Sequence, residues 1–165
     1  MVKAPGTNDN DWPWFVDRAP GCRVRLACMV SKILNGPWSL AQYPAHLGRD
    51  AGIVVQPKFS GDGSWFEAYA ERHEAEGPQG RLVTQFTFSE NWNSWEMHPT
   101  GAELVLVTEG ECTLVQDDGG RERRVRLRAG EYAINPPGVW HTADAEAPVT
   151  ALFITSGLGT EHRPR

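Results

Sequence analysis

From Gly52 onward, apolar residues come in short runs of four to eight positions separated by Gly, Pro, Asp and Asn. That spacing predicts a succession of short strands rather than long helices. Candidate strands fall at Ile53–Gln56, Trp65–Ala70, Arg81–Phe88, Ser94–His98, Glu103–Thr108 and Glu111–Gln116. Asp117-Asp118-Gly119-Gly120 follows as a hairpin turn, because Asp-Gly and Gly-Gly accept the positive φ that a two-residue connection requires. The return strand is Arg121–Leu127, and Glu131–Asn135, Trp140–Asp144 and Pro148–Thr155 complete the series. Arg alternates with Val125 and Leu127 in RERRVRLR, the pattern of a half-buried strand whose Arg face is turned to solvent and is not a nucleic-acid patch. The fold class expected is all-β, a sandwich or closed barrel.

The first fifty residues have a different texture, polar and Pro-bearing, with turn signals throughout GPWSLAQYPAHLGRDAG. They predict an irregular N-terminal arm, residues 1–50, with one short helix near Val24–Leu34, ahead of a barrel domain at 51–165. Trp12, Trp14, Trp38 and Trp65 lie among turns and are expected to serve as packing anchors.

Composition narrows the function. The chain has 165 residues, 40% of them hydrophobic and 22% charged, which suits one folded domain. Asp and Glu number 21 against 16 Lys and Arg, a net charge of -5, which disfavours nucleic acid and anionic membrane as partners. No apolar run reaches the length of a membrane span and no secretory layout opens the chain, so a cytoplasmic protein is expected. Cys22, Cys28 and Cys112 form no Cys-x-x-Cys pair and are expected to be reduced and packed.

Two segments combine ionisable residues with strict turn chemistry. In Trp95-Glu96-Met97-His98, strand alternation turns Glu96 and His98 to one face, and Pro99–Ala102 can bring Glu103 into the neighbouring strand beside them. In Gly130–His141, the Pro136-Pro137-Gly138 turn delivers His141 at the start of a new strand. Two imidazoles and two carboxylates converging in this way make a hard, anionic site suited to Fe(II), Mn(II) or Zn(II). Phe86, Phe88 and Phe153 flank it and can serve as an apolar wall or as core. His46, His73 and His162 lie in polar or irregular segments and are expected to be exposed.

These segments resemble the two motifs of the cupin superfamily. In the first, His98, Glu103 and Gly110 hold the places of the second His, the Glu and the closing Gly; in the second, Gly130, Pro136, Gly138 and His141 all fall in register. Glu96 stands where the family pattern has its first His, Glu90 where it opens with Gly, and Ala145 where it ends in Asn. The resemblance spans residues 81–155 and implies a double-stranded β-helix, or jelly-roll barrel, with a divalent metal near one mouth. Its implied ligands are Glu96, His98, Glu103 and His141, with Glu96 able to act instead as a general base.

The function expected is a metal-dependent small-molecule cupin, an oxygenase or an isomerase or lyase, acting on a polar, oxygen-bearing substrate. The alternatives are a non-catalytic module that binds or senses a ligand or metal, and a structural barrel with a degenerate site. The resemblance also implies a homodimer, and Trp12, Trp14 and Phe15 offer apolar surface to cover a sheet edge. Removing residues 1–28 is therefore expected to change the elution class in size-exclusion chromatography, and unchanged elution would count against a role for the arm in assembly.

Overall fold

The two-residue hairpin at Gly119-Gly120 forms as its sequence requires, with φ of +64° and +92° at the two glycines and Asp118 directly opposite Arg121. It joins β6 (Glu111–Asp118) to β7 (Arg121–Arg128) in a computed structural model that describes residues 36–156 and 158–165. Around this hairpin the unit Pro37–Arg165 forms two antiparallel sheets. One has six strands: β1 (Ala45–Leu47), β2 (Ile53–Val55), β3 (Arg81–Phe88), β5 (Glu103–Glu109), β8 (Tyr132–Asn135) and β10 (Val149–Thr155). They lie in the order β2-β1-β3-β10-β5-β8. The other contains β4 (Ser94–Met97), β9 (Trp140–Asp144) and β11 (Glu161–Pro164), in the order β11-β4-β9-β6-β7.

The all-β fold expected from the strand pattern is thus present, in the two-sheet form that the cupin resemblance implies, with its core between the inner faces. Alternation along β5 buries Glu103, Val105 and Val107, and these valines pack with Leu114, Leu127, Val149, Ala151 and Phe153. Cys112 lies in the same cluster, where burial raises its thiol pKa and keeps it protonated. Every side chain of β7 except Leu127 is exposed, so the half-buried alternation expected of this strand holds at Leu127 but not at Val125, which is 38% exposed. Cys22, Cys28, Trp12, Trp14, Phe15 and the helix expected at Val24–Leu34 lie outside the described residues.

One segment departs from expectation. Trp65–Ala70 is not a strand but part of a helix, α1 (Gly63–His73). Three aromatic residues suggest a strand, but the decisive features are local. Asp62 caps the helix, its carboxylate accepting from the Trp65 amide at 3.3 Å. Glu67, Ala68, Ala70, Glu71 and Arg72 are good helix formers. Trp65 and Tyr69, one turn apart, both face inward, where they pack with Leu82 of β3 and Phe59.

A polar clamp fastens α1 to β1, and it overturns a second expectation, that His46 is exposed. His46 is fully buried, with Nδ1 2.8 Å from the Tyr69 hydroxyl and Nε2 3.1 Å from the Glu76 carboxylate. His73 stacks on it, ring centroids 3.6 Å apart, and is part-buried, with its Nε2 3.1 Å from Oε1 of Gln56. His46, His73 and Glu76 bring three ligand-type atoms within 4.8 Å. Both ring nitrogens of His46 are already partnered, however, and near-parallel rings do not converge their lone pairs on one point. The cluster is a hydrogen-bonded fastening.

Two predictions follow from this packing. The Arg49 amide and the His46 ring hold the Glu76 carboxyl down at about 2. A depressed folded-state pKa contributes stability that is complete above the ordinary carboxylate range and is lost as pH falls through about 2. Unfolding midpoints measured from pH 7 down to pH 2 are expected to fall less steeply over the acid part of that range in Glu76→Gln than in the parent. Separately, a Cβ on Gly110 would lie 2.6 Å from the Pro148 carbonyl oxygen, whereas one on Gly130 would meet nothing within 4 Å, although both have positive φ. Gly130→Ala is expected to cost roughly 1–2 kcal/mol from backbone strain alone, and Gly110→Ala distinctly more; equal losses in urea unfolding would refute the steric argument.

Candidate metal centre and cavity

The site forms where the two sequence segments meet. Gly138, at φ +76° in the Pro-Pro-Gly turn, donates its amide to the His98 carbonyl at 3.0 Å, so one segment docks directly on the other. Glu96 in β4 pairs across the sheet with His141 in β9, which places both on one face. His98 follows β4 immediately. Glu103 arrives differently from expectation: β5 is not the strand beside β4 but belongs to the facing sheet, so the Pro99–Ala102 connection crosses from one sheet to the other.

The four predicted residues are nevertheless brought together. Glu96, His98 and His141 present ligand-type atoms all within 4.8 Å of one another. Glu103 lies against both imidazoles, 3.4 Å from Nε2 of His98 and 3.0 Å from Nε2 of His141. His98, Glu103 and His141 are buried, while Glu96 keeps 24% of its side chain exposed.

Each buried ring is anchored through its other nitrogen. His98 Nδ1 lies 2.9 Å from the Thr160 hydroxyl, and His141 Nδ1 lies 3.2 Å from the Val139 carbonyl. A carbonyl only accepts, so Nδ1 of His141 carries a proton, and in the neutral ring Nε2 presents a lone pair inward. Both Nε2 atoms are buried and have no hydrogen-bond partner, with the Glu103 oxygens 3.4 Å from that of His98 and 3.0 Å from that of His141. The only other such side-chain atom among the described residues is Oδ1 of Asp144, which is ion-paired with Arg165. Two buried imidazoles with anchored outer nitrogens and unpartnered inner ones fit a divalent cation, as does the mixed nitrogen and carboxylate donor set.

Glu103 is held by groups that the sequence reading did not single out. Asn135 donates its side-chain amide to Oε2 at 3.0 Å, and Thr155 donates its hydroxyl to Oε1 at 2.8 Å. Gln116 in turn fixes Asn135, donating to its side-chain oxygen at 2.7 Å. Burial works to raise the Glu103 pKa, whereas hydrogen bonding and positive charge from the two imidazoles, when they carry a second proton, lower it and prevail. Burial alone would lower the His141 pKa, and Glu103 beside it reverses the direction.

The cluster opens onto a cavity of about 520 Å³. Phe86 and Phe153 line it, joined by Trp92 and by Phe66 and Glu67 of α1, whereas Phe88 packs against Trp92 in the core. His162 is exposed, as expected, but it is not remote. β11 pairs it directly with Glu96, and its Nε2 lies 3.5 Å from the Glu96 carboxylate at the cavity wall. One signal for it was available: the segment follows the Gly157–Gly159 stretch, whose glycines favour a turn.

A family model described as "Cupin domain" matches residues 87–155. No curated protein matches the sequence. Among solved structures, a cupin-2 domain containing protein from Shewanella frigidimarina is 22% identical, covering 52% of this chain and 71% of that one, with a TM-score of 0.40. An oxalate oxidase is 19% identical, covering 48% of this chain and 44% of that one, with a TM-score of 0.43. A hydroquinone 1,2-dioxygenase from Sphingomonas sp. TTNP3, solved with 4-hydroxybenzoate bound, is 20% identical over 46% of this chain and 59% of its own, with a TM-score of 0.41. The chain therefore spans about half the length of these two oxygen-using enzymes. The family match covers both motifs, and the strands that carry them lie in two antiparallel sheets, so residues 87–155 are similar to a cupin domain.

Proposed function

We propose that this protein is a metal-dependent small-molecule cupin whose centre is held by Glu96, His98, Glu103 and His141. The observation that carries this reading is the pair of buried, unpartnered Nε2 atoms on His98 and His141. Leaving two such groups unsatisfied costs about 1–3 kcal/mol each, and a cation between them removes that cost. Fe(II), Mn(II) or Zn(II) suits the donor set and would supply Lewis-acid activation of a ligand oxygen.

The remaining work falls to the protein's own residues. His98 and His141 are pinned in orientation by Thr160 and the Val139 carbonyl, and Glu103 by Asn135 and Thr155. Phe86, Trp92 and Phe153 keep water from the inner end of the cavity. Glu96 is the most exposed of the four and lies at the cavity wall, with His162 on its outer side. It is the carboxylate placed to accept a proton from a bound hydroxyl, and His162 is placed to stabilise either protonation state of it.

Elemental analysis of protein purified without chelators tests the reading. The parent is expected to carry near-stoichiometric Fe, Mn or Zn, with His98→Ala and His141→Ala losing most of it and Glu96→Gln retaining more than either. A parent that stays empty after metal addition would overturn the proposal and favour a metal-free binding module or a structural barrel.

A further inference from the structure

The cavity is chemically two-ended. Its wall is apolar and aromatic, from Phe66 on α1 to Phe86, Trp92 and Phe153 on the barrel, and its volume of about 520 Å³ suits a ligand built on a single ring. Its negatively charged groups are three carboxylates, Glu96 and Glu103 at the inner end and Glu67 on the exposed face of α1 at the rim, set among the hydroxyls of Thr84, Thr155 and Thr160. Among the described residues, no Lys or Arg lines it. His162, the one imidazole at the wall other than His98, lies against Glu96 at 3.5 Å, so any positive charge on it is already matched.

This balance of charge decides what can enter. Two carboxylates neutralise the two positive charges of a divalent ion, so the inner end offers no net attraction to an anion when loaded and repels one when empty. An anionic group would also give up its hydration to an aromatic wall without gaining a cationic partner, and would pass Glu67 on the way. An uncharged oxygen donor meets neither penalty, and its ring is buried by the same surfaces.

We propose that the cavity selects an uncharged, single-ring-sized molecule bearing hydroxyl or carbonyl oxygens and discriminates against carboxylates of the same shape, with Glu67 on α1 as the specificity determinant at the rim. The proposal rests on the barrel being a small-molecule site, but its charge argument holds with or without the metal. Glu67 lies on a helix that the strand pattern did not reveal, and it touches none of the four clustered residues in sequence or strand pairing.

The test uses two probes of nearly equal shape and opposite charge status, 2-hydroxyacetophenone and salicylate. Their affinities for the full-length protein are measured by calorimetry, with metal content determined on the same samples. The neutral probe is expected to bind at least tenfold more tightly than the anion in the parent. Glu67→Gln is expected to narrow that ratio several-fold, and Glu67→Lys to narrow it further, with metal content unchanged in both. Equal affinities in the parent, binding of neither probe, or a ratio indifferent to both Glu67 variants would overturn the assignment. Low metal content in the parent would speak against the metal reading alone, because the ratio is measured independently of it.

Discussion

A carboxylate buried between two imidazoles is expensive unless every one of its lone pairs has a purpose, and Glu103 sits in that position. Its surroundings come from all parts of the barrel: Asn135 from β8, Thr155 from β10, His141 from β9, and His98 from the end of β4. Both sheets are therefore tied to one point, and displacing any of these strands would leave an ionised group in an apolar interior. The need to satisfy Glu103 thus sets the relative position of the sheets at this end as firmly as the valines of β5 do in the middle.

The helix α1 meets a different need. A barrel open at one end exposes its inner aromatic residues to water, and α1 covers part of that opening with Phe66 and Glu67 while Trp65 and Tyr69 root it in Leu82 and Phe59. The buried His46 fastens the end of the helix to β1 through Tyr69 and the Glu76 that follows. Burying so polar a fastening is tolerable because each of its atoms is paired, in contrast to the inward Nε2 atoms of the centre. The two sets of histidines thus differ in their hydrogen bonds: paired at both ring nitrogens in His46, and at one only in His98 and His141.

What was legible in the sequence was whatever short-range chemistry dictates. Asp117–Gly120 and Pro136–Gly138 specify their own turns, and alternation along Glu103–Val107 specifies which side chains are buried, so the barrel and the positions of His98, Glu103 and His141 could be read from residue order. What was hidden depends on long-range partners. His46 reads as a polar loop residue until Tyr69 and Glu76, far along the chain, close around it. Asn135 and Thr155 are ordinary strand residues until Glu103 is placed between them. The helix was misread for another reason: aromatic content outweighed a cap and a one-turn repeat that pointed the other way.

The position of β10 bears on how the chain reaches this state. It is the central partner in its sheet, pairing Phe153 with Thr84 of β3 on one side and with Val105 of β5 on the other. Until residues 149–155 insert, β3 and β5 present facing edges with unpaired amides and carbonyls and no barrel wall between them. Local hairpins such as β6–β7 can close early, but this insertion brings together segments more distant along the chain and incurs a larger loop-closure entropy. The slow event in folding is then the arrival of one strand, and the species that precedes it, with two open edges, is the one most exposed to self-association.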